Sequence, residues 1–159
     1  MRTITGLVLA LLLFAQSSLF ALTHMETTDL LSKADLVVVG YVISVDQGVE
    51  STQTQIQLLQ VLKGRGEAPG GLLTIESAGG KVYIDESQPS FMTRQTNLLF
   101  LQKTPEGYVC VNQADGQKTV RGDYIYPYHD NAAYSLPLKD YLETLDAAIK
   151  SLAGASNLT

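Results

Sequence analysis

The chain of 159 residues contains one cysteine, Cys110, and two histidines, His24 and His129. That scarcity excludes an intramolecular disulfide and an ordinary Cys/His zinc site, which takes its four ligands from such side chains. Three familiar signatures are also missing. There is no G-x-S-x-G elbow, no H-E-x-x-H pair, and no phosphate loop, because the glycines of "GRGEAPGG" (64–71) are not followed by a lysine-hydroxyl pair. Carboxylate neighbours such as Asp85 and Glu86 sit in a polar stretch that reads as solvated surface. An enzyme is therefore the third-ranked reading, and neither a cofactor nor a metal is expected.

Positive charge is scarce as well, with 11 Lys and Arg against 16 Asp and Glu, a net charge of −5. An acidic chain without a Lys/Arg cluster repels phosphate backbones and anionic membranes, which excludes nucleic acid as an expected partner. The one long apolar run lies at the start. "LVLALLLFA" (7–15) follows Arg2 and precedes a polar, small-residue stretch ending in Ala21. It is shorter than the ~20 residues a spanning helix needs, so residues 1–21 read as a secretory signal peptide and not as a retained anchor. The expected compartment is bacterial, periplasmic or extracellular. Residues 22–154 are then expected to form one domain, with 155–159 a disordered tail. In an exported protein a lone thiol invites pairing between chains, but the apolar setting "GYVCVN" assigns Cys110 to the core.

What is present is strand. "ADLVVVGYVISV" (34–45) is rich in β-branched residues yet carries Gly40 in its middle, where glycine weakens a strand unless the chain bends or meets another backbone. A small closed barrel supplies such a bend. In "TQTQIQLLQVLKG", Gln53, Gln55 and Gln57 alternate with Thr54, Ile56 and Leu58, and the phase slips at the adjacent Leu58 and Leu59, as a bulge would produce. "LLTIES" is the next strand. A long excursion through Gly79, Gly80 and Pro89 follows, and "TNLLFLQK" and "GYVCVNQ" then form a hairpin across "TPEG". "QKTVRG" reads as a last strand.

Short helices flank the strands. Thr27, Thr28 and Asp29 stand as capping residues before Leu30, Leu31 and Ala34, and Leu138, Tyr141, Leu142, Leu145, Ile149 and Leu152 mark one stripe of a C-terminal amphipathic helix ending at Gly154. Arg121-Gly122-Asp123 matches an adhesion tripeptide but reads as a strand end and turn. After it, Tyr124, Tyr126 and Tyr128 alternate, with His129 beside them. In extended chain the three rings share one side, so these four residues are the candidate binding face, and the competing reading, which the usual burial of tyrosine bodies favours, has the rings covering the barrel wall or the terminal helix.

The succession of "ADLVVVGYVISV", "QIQLLQVLKG", "LLTIES", "NLLFLQKTPEGYVCV" and a final helix resembles small exported bacterial proteins of uncharacterised function. More distantly it is similar to the netrin-like module of tissue inhibitors of metalloproteinases. The resemblance implies a mainly β fold, a five-stranded OB-like barrel with a short N-terminal helix and a C-terminal amphipathic helix, in which Gly40 lets the first strand coil around the barrel. Those inhibitors use a cysteine at the mature N-terminus, which this chain lacks, so no inhibitory residue carries over. The expected function is that of an exported, non-enzymatic binding or accessory module for a protein or peptidic partner. A protease inhibitor or protease-associated protein without the cysteine wedge is the alternative.

Overall fold

The computed structural model describes residues 25–127 and 134–156. Strand β1 (Leu36–Gln47) pairs antiparallel with β2 (Ser51–Lys63), and β2 with β3 (Leu72–Ala78). Strand β4 (Thr96–Thr104) turns through Pro105 and Glu106 into β5 (Gly107–Cys110), which meets β3 in parallel at Ile75 and Tyr108. Pairing of β1 with β4 closes the ring in the order β1-β2-β3-β5-β4. This is the five-stranded OB-like barrel.

Closure explains the apolar runs. Along β1, Leu36, Val38 and Val42 point into the barrel, where they meet Ile56, Leu58, Ile75, Leu99, Leu101 and Cys110. Val37 and Val39 point outward, and with Leu98 and Phe100 they build a second core beneath the helices. Strands buried on both faces lose the polar alternation of a half-exposed sheet, hence "LVVV" and "LLFL". Strand β2 is covered on one face only, so Thr54, Ile56 and Leu58 are buried while Gln53, Gln55 and Gln57 stay exposed.

Gly40 falls in phase with the inward positions. A Cβ there would lie 2.3 Å from Cγ2 of Ile56, which fills the space in its place. Beside it the register slips, with Val39 opposite Gln60 and Gly40 opposite Leu58, so Leu59 is the extra residue of a bulge. Bend and close approach thus coincide.

Strand β4 is long enough to carry two partners on one edge. Its C-terminal half holds β5, and its N-terminal half pairs with β6 (Gln117–Arg121), reached through a single 3-10 turn, Gln113–Gly116. Strands β7 (Tyr124–Tyr126) and β8 (Leu136–Pro137) extend this wing beyond the barrel. The five-stranded expectation did not include them.

Helix α1 (Thr27–Lys33) buries Leu30 and Leu31 against the outer core. Its N-cap is Glu26 without a side-chain hydrogen bond, so Thr27, Thr28 and Asp29 lie inside the first turn and do not cap it. Its C-terminal end is closed by Lys63, whose ammonium donates to the carbonyls of Leu31 and Ala34 at 2.6 Å each. Helix α2 (Leu138–Ser156) begins where Leu138 N–H donates to Asp123 O and lays Leu138, Tyr141, Leu142, Leu145 and Ile149 on the same core. It runs two residues past Gly154, because an exposed glycine lowers helix propensity without ending the helix. No helix among the described residues is long and apolar enough to cross a membrane.

Candidate functional site

Between β3 and β4 the chain from Gly79 to Gln95 has no regular structure and runs across the end of the barrel. Its exit extends the β1–β4 pairing, with Arg94 N–H donating to Val42 O and Val42 N–H to Gln95 O. Its middle is tied to the wing. Gln117 Nε2 donates to Ser90 O at 2.8 Å, Ser90 N–H donates back to Gln117 Oε1 at 2.9 Å, and Gln117 Nε2 also reaches Asn97 Oδ1 at 3.1 Å. Gln95 Oε1 accepts from Met92 N–H while Gln95 Nε2 donates to Thr119 Oγ1. Each glutamine is fixed at both ends of its amide.

Gln95, Gln117 and Thr119 line a cleft of about 230 Å³ between the connection and the wing, together with Glu86, Asp115, Lys118 and Tyr126. A second cleft of about 380 Å³ opens on the other side of the connection, at the barrel mouth, lined by Thr52, Ser77, Asp85 and Phe91. Glu86, Gln88 and Ser90 belong to both.

The tyrosine row stands at the edge of the first cleft. Tyr124 opposes Arg121 and Tyr126 opposes Thr119, so both rings share the face that also carries Gln117. Ile125 points the other way and is fully buried. Tyr124 is 50% exposed, and the Arg121 guanidinium lies 5.3 Å from the Tyr126 ring centre, a cation–π distance. The structure therefore brings Tyr124 and Tyr126 together on an accessible face instead of sealing them under a helix. Tyr128 and His129 lie outside the described residues.

Charge around the clefts is negative and locally tuned. Hydrogen bonds from the Ser87 hydroxyl and N–H hold the Asp85 carboxyl below its ordinary range, and the Asp85 charge raises the phenol of Tyr83. Burial pushes Lys118 down, opposed by the nearby charge of Asp115. Asp115 also accepts from Met25 N–H and Asn112 Nδ2, so it anchors the start of α1 to the wing. Cys110 faces the barrel core, where burial pushes its thiol up to about 12 and keeps it protonated. Among the described residues no group of three or more His, Cys, Asp or Glu side chains is gathered closely enough to hold a metal ion.

Gln88, Gln95, Gln117 and Arg121 escaped the sequence reading. A signal existed for two of them. "QKTVRGDYIY" alternates on both sides of the Gly122–Asp123 turn, which places Gln117, Thr119 and Arg121 on the face of Tyr124 and Tyr126. The chain matches no protein-family model and no curated protein sequence.

Proposed function

We propose that the chain is an exported, non-enzymatic binding module that takes a peptide segment of another protein along the cleft beside Tyr126. The observation that carries this reading is the accessible face of Tyr124, Tyr126 and Arg121 over a cleft whose amides are already held in place. Tyrosine and arginine are the residues enriched at the centres of protein interfaces, and fixed side chains lose little entropy on binding. Gln117 spends both amide hydrogens on Ser90 O and Asn97 Oδ1, so the second amide hydrogen of Gln95 and the remaining acceptor lone pairs of both glutamines are what a peptide backbone can use. Asp115 at the cleft faces Lys118, which leaves Glu86 as the lining carboxylate open to a basic side chain of the partner. Export to the periplasm or beyond rests on residues 1–21, and the netrin-like resemblance agrees with a role in binding.

Affinity capture from the native envelope fraction tests the proposal, with the wild type beside a Tyr124→Ser, Tyr126→Ser variant. The wild type is expected to retain a discrete partner and the variant to lose it at a nearly unchanged melting temperature. A variant that unfolds instead would assign the rings to the core and contradict the binding face. A protease as the recovered partner would specify the inhibitor form of the same reading.

A further inference from the structure

We propose that the protein associates head to tail with a second copy of itself, the apolar tip at one end of the barrel entering an apolar groove at the other end of the next molecule. The tip is built where the β1–β2 turn meets the start of the long connection. Gly79 N–H donates to Glu50 O and Lys81 N–H to Gly48 O, and a Cβ on Gly80 would lie 2.5 Å from Gly48 O. Nothing larger than glycine permits that approach. It sets Val49, Val82 and Ile84 on adjoining backbone at 66%, 79% and 84% exposure, far beyond what single surface apolar residues need.

The groove of about 530 Å³ is lined by Ile149, Leu152 and Ala153 of α2, by Ser32 and Asp35, and by Lys63 at the end of β2 with Gly64 and Arg65 after it. It arises because the apolar stripe of α2 outruns the core it covers, leaving Leu152 41% exposed. Asp35 immediately precedes β1 and Gly48 immediately follows it, so tip and groove stand at opposite ends of one strand. They cannot meet within one molecule.

Charge selects the pairing. Exposed Asp46, Glu50 and Glu86 surround the tip against one lysine, Lys81. Lys63 and exposed Arg65 line the groove as cations, the Lys63 ammonium sitting at the end of α1, and exposed Lys33 follows the lining residue Ser32 in sequence. Asp35, the carboxylate inside the groove, accepts from Lys103 N–H at 2.9 Å, and the two lining cations Lys63 and Arg65 outweigh its charge. Tip against tip would oppose carboxylates, whereas tip against groove joins apolar to apolar and acid to base. Such a contact is heterologous, so each added molecule leaves one tip and one groove open. The groove and the apolar residues of the tip lie outside the lining of the Tyr126 cleft, and Glu86 is the residue that tip and cleft share.

Sedimentation velocity of the purified protein over a concentration series tests this. The wild-type mass is expected to climb beyond the dimer without a plateau, and to fall back as salt is raised. Ile84→Asp, which spoils the tip, and Leu152→Asp, which spoils the groove, are each expected to stay monomeric. An equimolar mixture of the two is expected to form a one-to-one dimer and stop there, since it holds one working tip and one working groove. A wild type that stays monomeric, a plateau at a symmetric dimer, or a mixture that stays monomeric would overturn the proposal. Circular dichroism melts verify that both variants fold. Val82→Asp and Ala153→Glu repeat the test if either does not.

Discussion

Gly40 owes its place to Ile56. Its φ is not in the left-handed region, so any residue could adopt its backbone, yet the Ile56 methyl occupies the space a Cβ would take. Overpacking a filled core costs about 1–3 kcal/mol and more for a branched side chain. Gly40→Ala is therefore expected to cost about 2 kcal/mol in urea unfolding and Gly40→Val more. In an Ile56→Ala background the Gly40→Ala cost should shrink, because the two positions share one volume. A neutral Gly40→Ala, or strictly additive costs, would contradict that packing. The anomaly of Gly40 was legible in the sequence, as was the slip at Leu58 and Leu59. Its partner was not, because a bulged register sets which residue lies across the pair, and local alternation carries no cross-strand information.

At the scale of elements, the connection from Gly79 to Gln95 is the least regular part of the barrel and the part nearest both clefts. It contributes Phe91 to the interior core but otherwise depends on a few polar ties, with Gln117 making the most central ones. Gln117→Ala removes the partners of Ser90 N–H and O together. It is expected to raise amide hydrogen exchange at Ser90–Gln95 by at least tenfold while the exchange of Leu98–Leu101 stays at the wild-type rate. Equal acceleration in both segments would mean that Gln117 supports the whole sheet. The strands of the barrel were readable because burial on one or two faces writes period-2 or continuous apolar runs. The wing was readable only as far as β6: β7 and β8 are short and pair at the sheet edge, and their signal is the tyrosine row itself. The capping residues before α1 were misread for a physical reason. Thr, Asp and Ser favour a helix start without choosing which of them stands outside the first turn.

For the whole molecule, two cores share the walls of one barrel, and the described helices cover the outer side of β1 and β4 together with Val120 and Ile125 of the wing. The two proposed contacts use the remaining surface: a tyrosine-edged cleft, and an acidic apolar tip facing away from a basic groove. The architecture was legible because five strands, a bend and a terminal stripe leave few ways to close a sheet. The site was legible only in part. Tyr124 and Tyr126 announce themselves by spacing, but the glutamines come from the connection and from β6 and converge only after the barrel closes. The most direct measurement of the central claim is photo-crosslinking in intact cells, with a photoreactive amino acid placed at Tyr124 and, separately, at Leu72, an exposed position on β3 away from the clefts. The account predicts a discrete adduct with another protein from position 124 and none from position 72. No adduct at 124, or the same adducts from both positions, would contradict it.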